Sequence, residues 1–201
     1  MTQRSHGSRF AAAAVAGLLG LAACDGPVAP DVDDIALSRV GLGEEGEGMV
    51  AKPFDARFFT AGEGLVPDPA CGDPPRFLNT QVGEGTATHL GRFSVRITFC
   101  MDVTDVLDDG RLTEGESLPY DDGFGTLIAA NGDELYIEIS GSVVPSSDPD
   151  FDLEFHDPFR FTDGTGRFAG ASGEGTSDSF VNQAADRTDH DWSGTLVLPR
   201  R

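Results

Sequence analysis

"GRFSVRITFC", residues 91 to 100, alternates apolar and polar side chains without a break. In an extended chain successive side chains point to opposite sides. Phe93, Val95, Ile97 and Phe99 therefore share one face, and Ser94, Arg96, Thr98 and Cys100 share the other. A helical period would scatter both sets around an axis. The stretch reads as a strand with one dry face and one wet face. His89, just upstream in "GTATHLGRF", then sits at the strand's end beside Arg92, at the rim of the sheet rather than in a site.

The same parity returns at Leu135, Ile137 and Ile139, at Phe151, Leu153 and Phe155, at Phe159 and Phe161, and at Leu196 and Leu198. Short alternating runs bounded by Gly, Asp and Pro predict eight strands: 54–60, 76–88, 91–103, 124–130, 134–144, 151–162, 172–182 and 191–199. Asn131-Gly132 between the fourth and fifth is a hairpin signal, because both residues tolerate positive φ. No stretch carries the period of a long amphipathic helix. Eight half-wet strands predict an all-β fold, a single closed antiparallel eight-stranded β-barrel, since closure alone removes the edge strands that invite aggregation. A two-sheet β-sandwich is the alternative. An eight-stranded barrel has room for side chains or for one small ligand. The inward residues Phe93, Val95, Ile97, Phe99, Leu135, Ile137, Ile139 and Phe155 are the expected contacts of a ligand held there. Polar inward residues are nearly absent from this reading.

Residues 1–23 read as an address. Arg4 and Arg9 form a basic head, "FAAAAVAGLLGLAA" an apolar core too short to span a bilayer, and Leu21-Ala22-Ala23-Cys24 resembles the lipobox of bacterial lipoproteins. Cys24 is the expected lipidation site, and acyl chains there the expected membrane attachment. Residues 24–52, rich in Pro, Gly and acids, read as a tether, and 53–201 as the barrel domain. The whole chain of 201 residues carries 34 Asp and Glu against 14 Lys and Arg, a net charge of −20. Such a surface repels phosphate backbones and anionic headgroups, so nucleic acid is not an expected partner. With Cys24 acylated, Cys71 and Cys100 are left as an even pair in an oxidising compartment, and a disulfide closing their loop is worth ~3 kcal/mol.

Few motifs carry chemistry. "GTGRFA" (164–169) matches a dinucleotide fingerprint in letters only, because a strand-like segment follows where a helix is required. "GASGEG" around Ser172 has Glu174 where a nucleophile elbow needs its second glycine. "DVLDDGRLTEGE" (105–116) sets Asp105, Asp109 and Glu116 at calcium-loop positions, but Leu107 occupies a ligand position, and an acidic loop is the preferred reading. His89, His156 and His190 lie beside polar or acidic residues, yet no spacing places two of them on one element. No metal or other cofactor is expected.

"GEGTATHLGRFSV" (83–95), "AANGDELYIEISG" (129–141) and "FTDGTGRFAGASGEGT" (161–176), in that order, resemble a family of bacterial exported proteins whose fold is similar to the allene oxide cyclase and dirigent barrels, within the wider calycin-like group. The resemblance covers roughly residues 54 to 198 and implies a barrel on the exported side of a bacterial envelope. The acidic, cysteine and asparagine residues of the plant cyclase have no matched positions here, so the resemblance does not carry its chemistry over. The expected function is a lipid-anchored, non-catalytic envelope barrel, packed solid or holding one small apolar ligand. The alternative is an isomerase or cyclase acting on an apolar substrate in the interior, which requires polar groups facing inward.

Overall fold

A computed structural model of the chain describes residues 48–200. Cys24, the expected lipidation site, the expected signal segment 1–23 and most of the expected tether lie outside these residues. Eight strands follow one another: β1 (Met49–Val66), β2 (Arg76–Ala87), β3 (Gly91–Asp102), β4 (Leu118–Ala129), β5 (Glu134–Pro145), β6 (Leu153–Gly164), β7 (Ser172–Asn182) and β8 (Arg187–Pro199). Each pairs antiparallel with the next, and β8 returns to β1, so the sheet is a closed barrel and the sandwich is excluded. The closing ladder runs from Met49 opposite Pro199 to Thr60 opposite Thr188.

Three strands begin earlier than the sequence indicates. β1 starts at Met49, so residues 49–52 are barrel wall opposite 196–199 rather than tether. β4 starts at Leu118 and β8 at Arg187. Their extra residues are mixed in polarity, and only pairing with neighbours reveals them as strand. Phe151, expected inside, precedes β6 and is only partly buried, its ring 5.2 Å from that of Phe180. The chain is still turning there, held by the Phe151 N–H to Asp148 carbonyl bond. Strand parity has no meaning before the strand begins.

The remaining apolar set points inward as the alternation requires. Phe93, Val95, Ile97 and Phe99 from β3 meet Leu127, Leu135, Ile137, Phe159, Phe161, Leu196 and the rings of Phe54, Phe58 and Trp192 in one buried cluster. Phe159 stacks on Trp192 with centroids 4.8 Å apart, and Phe54 packs edge-on to Phe161 at 4.8 Å. The neighbouring strand makes room for these rings. A Cβ at Gly83 or Gly85 of β2 would run into the Phe58–Phe59 segment of β1.

One end is plugged. Leu90, from the β2–β3 turn, and Phe168, from the 3-10 turn Gly166–Phe168, are fully covered there, and an Arg167 guanidinium nitrogen donates to the Leu90 carbonyl at 3.3 Å. At the other end Val106 and Leu112, from the loop between β3 and β4, pack partly buried against the core. The loop between β1 and β2 is stapled to β3 by a Cys71–Cys100 disulfide, with Cα atoms 5.3 Å apart.

Phe99 is buried, its ring 4.8 Å from that of Tyr120. Phe99→Ala is expected to cost about 3 to 5 kcal/mol in urea unfolding, the range of a filled core. A loss well under 2 kcal/mol would mark Phe99 as the wall of a ligand space.

Candidate functional site

The interior is less apolar than the sequence indicates. Thr60, Ser177, Ser179, Thr188, His190 and Asp157 are all buried, contrary to the expectation that polar inward residues are nearly absent. Four of them, Ser177, Ser179, Thr188 and His190, lie in "TSDSF" and "TDHDW", where polar residues occupy both faces and the local alternation gives no sign of which face is inside.

Four hydrogen bonds run through Thr60, Ser179 and His190 of this layer. Trp192 Nε1 lies 3.3 Å from Ser179 Oγ, Ser179 Oγ 2.8 Å from His190 Nδ1, His190 Nε2 2.9 Å from Thr60 Oγ1, and Thr60 Oγ1 3.1 Å from Gln81 Oε1. Trp192 can only donate and Gln81 Oε1 can only accept, so the protons run one way along the chain. His190 then carries its proton on Nε2 and accepts from Ser179 at Nδ1. The imidazole also lies flat on Phe58, centroids 4.2 Å apart. Burial pushes its pKa down to about 3, against a small opposing pull from Asp189. A second polar pair stands across the barrel, where Tyr120 donates to Asp157 Oδ2 at 2.8 Å and the Ser142 N–H reaches Oδ1 of the same carboxylate at 3.2 Å. Burial first, and then the Asp157 charge, raise the Tyr120 pKa, so the phenol keeps its proton. Gly141, opposite Asp157, is required, since any Cβ there would occupy the carboxylate's place.

These two groups enclose little space. Gln81, Ile97, Phe99, Tyr120, Ile139, Phe155, Ser177, Ser179, His190 and Trp192 surround a void of ≈ 20 Å³, room for about one water molecule. A larger cavity of ≈ 270 Å³ lies at the end away from the Leu90–Phe168 plug. Its apolar wall includes Met101, Val103, Leu118, Val143, Leu153, Phe155 and Val181, and its polar side Asn79, Gln81, Gln183 and Thr188. Among the described residues no charged side chain lines it. Of the eight interior residues expected to meet a ligand, Phe155 reaches this cavity. Ile97, Phe99 and Ile139 border the small void, and Phe93, Val95, Leu135 and Ile137 border neither.

The other sequence candidates disperse. His89 sits exposed in the β2–β3 turn at φ 65°, its Nε2 3.0 Å from the Pro53 carbonyl, at the rim as read from the sequence. His156 is on the outer wall, 2.8 Å from Asp178 and 3.5 Å from Glu154, and the bond to Asp178 leads the effects that raise its pKa. With His190 inside, the three imidazoles do not share a site. Asp105 accepts from the Ser117 N–H at 3.1 Å, Asp109 from the Arg111 N–H at 2.9 Å, and Glu116 from both the N–H and the hydroxyl of Thr113 at 2.7 Å. The acidic loop spends these carboxylates on its own turns. Cys100, Asp121 and Asp122 approach one another as ligands would, but the Cys100 sulfur is in the disulfide and Asp121 is bonded to Arg76. Gly166–Phe168 forms a 3-10 turn leading into β7, so neither the dinucleotide loop nor the nucleophile elbow has its structural setting.

No family model and no curated protein matches the chain. Among solved structures it is similar to that of a pterocarpan synthase dirigent protein, at 13% identity and a TM-score of 0.43, over 85% of this chain and 100% of that one. The synthase activity in that description belongs to that protein.

A depressed histidine pKa means the fold favours the neutral ring. The resulting stability is fully present above the unfolded value of about 6.5 and is lost as pH falls from there toward 3. In an NMR titration from pH 8 to 4 the His190 ring resonances are expected to stay flat while those of His156 move, with a midpoint above the ordinary value. A His190 midpoint near 6 would mean the ring reaches water.

Proposed function

We propose that the chain is an exported, lipid-anchored bacterial envelope protein whose barrel is a non-catalytic container for one small, largely apolar ligand, held in the cavity at the unplugged end. The observation that carries this reading is the contrast in free space. The barrel centre is filled to within about one water molecule, while the end cavity of ≈ 270 Å³ lies just below the ~300 Å³ at which ligand pockets begin. Its walls are apolar on one side and polar but uncharged on the other. The disulfide supports export, because such bonds persist in oxidising compartments. The lipobox at Cys24 supports anchoring, since the acyl chains supply what a surface of net charge −20 cannot.

The isomerase or cyclase alternative has candidate groups but no room. His190 and Tyr120 are the titratable groups beside the central void, and ≈ 20 Å³ excludes any carbon substrate. A histidine with its pKa near 3 is also a poor proton acceptor at neutral pH.

Cys24→Ala is expected to move the protein from the membrane to the soluble fraction, or to leave it unprocessed. A correctly cleaved variant that stays in the membrane fraction would refute acyl anchoring. For the container, titration of the labelled protein with octan-1-ol is expected to shift the Val103, Leu118, Val143 and Val181 amide resonances saturably. Leu153→Trp, which fills the cavity, should abolish those shifts. Saturable shifts centred on Val95 and Ile137 instead would place the ligand at mid-barrel and overturn this assignment.

A further inference from the structure

The end cavity has a side window. The β1–β8 ladder stops at Thr60 opposite Thr188, whereas β1 runs on to Val66 paired with β2, through a register shift between Gly62 and Leu65. Residues 61–66 of β1 and the 3-10 turn Gln183–Ala185, with Asp186 after it, therefore flank a stretch of wall that no ladder closes. A Gly62 N–H to Asp186 Oδ1 bond of 3.4 Å bridges it. Leu65, Asn79, Gln81, Val181, Gln183 and Thr188 line both the end cavity and the opening outside it, so the two spaces adjoin. The opening adds three charged side chains, Glu63, Asp186 and Arg187. Two of these charges are already matched. Glu63 accepts from Arg96 at 2.9 Å, and Arg187 donates through Nε and Nη2 to Asp189 Oδ1 at 2.9 and 2.6 Å while its guanidinium lies 4.3 Å from the centre of the Phe59 ring. Asp186 is exposed, and among the described residues no ion pair includes it.

Resting on the container reading, we infer that the ligand is an amphiphilic amine, its aliphatic tail in the end cavity and its ammonium head in the side window, where Asp186 selects it. The tail gains from burial against the apolar wall. The head stays in the open window, so its charge keeps water and avoids the cost of entering the barrel. An ammonium has three N–H donors: with Oδ1 of Asp186 holding the Gly62 N–H, one donor goes to Oδ2 and the others to water. A carboxylate head would meet Asp186 and Glu63 at an opening whose one cation, Arg187, already has Asp189 as its partner. A hydroxyl head would fit the same space and form no ion pair. The preference for a cation is a matter of a few-fold, because the pair it forms is exposed to solvent.

The test compares three probes with one tail length, octylammonium, octan-1-ol and octanoate, on the full-length, disulfide-bonded protein at about 0.15 M salt, where charges beyond ~8 Å are screened. Saturable shifts of the Val103 and Val143 amides report the tail, and those of Gly62 and Asp186 the head. Octylammonium is expected to bind about 3- to 5-fold more tightly than octan-1-ol, as an exposed ion pair allows, and octanoate more weakly than either. Asp186→Asn keeps an oxygen for the Gly62 N–H and a residue that tolerates the φ of 48° at this position, and should bring amine and alcohol within about 1.5-fold of each other. Glu174→Gln removes the same charge from an exposed position on β7 and should leave the wild-type ratio unchanged. Equal binding of amine and alcohol to the wild type overturns the role of Asp186 while the container stands. So does an equal loss of preference in Glu174→Gln, which would trace it to overall charge. Tightest binding by octanoate overturns the cationic head and assigns the window to Arg187. If none of the probes moves the cavity amides, the container reading falls and this inference falls with it. The wild-type comparison needs no substitution, so a variant that failed to fold would leave the decision intact.

Discussion

The pairing of β1 with β8 is the constraint on which the other features rest. Once Met49 to Thr60 are laid against Thr188 to Pro199, no strand edge is left, and every inward side chain shares a lumen that eight strands make only wide enough to fill. Register follows from this. Sliding β1 by one residue would turn Phe54, Ala56 and Phe58 into water and put Asp55 and Arg57 inside. The heavy acidic excess can then be tolerated, because parity directs the charges of β1, β6 and β8, Asp157 excepted, outward, where Arg57 meets Asp191 and Arg160 meets Glu138. Pairs this exposed add little stability. The closed ladder and its contents hold the fold.

The polar layer at mid-barrel qualifies that account. Burying Thr60, Ser179 and His190 costs free energy unless their hydrogen bonds are met, and the one-way chain from Trp192 to Gln81 meets them. Such a chain tolerates few rearrangements. Each inner member has one partner on each side, so a shift of β8 against β7 would break two of these bonds and a shift against β1 the His190–Thr60 bond. Specifying a single register is the role best suited to a network whose adjoining void admits about one water molecule.

How much of this was legible in the sequence depended on whether one face of each strand was cleanly apolar. β3 and the first half of β5 could be read residue by residue, and with them the barrel and the His89 rim position, while the Cys71–Cys100 pairing came from cysteine counting. β7 could be placed but not oriented, because "TSDSF" is polar on both faces, and β8 was oriented by Leu196 and Leu198 but expected to begin at 191, which left Thr188 and His190 outside it. The fact that Ser177, Ser179 and His190 point inward is decided by the register of β7 against β8 and β1. Asp157 was hidden for a related reason. It keeps the inward parity of Phe155 and Phe159, but an acid at an inward position is acceptable only beside the Tyr120 hydroxyl and the gap left by Gly141, partners 37 and 16 residues away that no local pattern reveals.

Why free space collects at one end follows from the same ladders. Three of the four register shifts in the barrel, between Gly62 and Leu65, Thr98 and Cys100, and Tyr120 and Gly123, lie in the half away from the Leu90–Phe168 plug. In that half β5 and β6 also leave residues 140–143 and 155–158 unpaired, with Asp157 taking the Ser142 N–H in place of a strand carbonyl. Bulges bend strands and re-aim their side chains, so this rim splays while the plugged half stays regular. Phe54, Phe58, Phe159, Phe161 and Trp192 fill the regular half and the middle, and the splayed rim is lined by smaller aliphatic residues that do not meet across it. The cavity at Asn79 is therefore a consequence of where the sheet is irregular, and the irregularities are anchored by Gly62, Gly123 and Gly141, residues whose missing side chains gave the sequence pattern nothing to show.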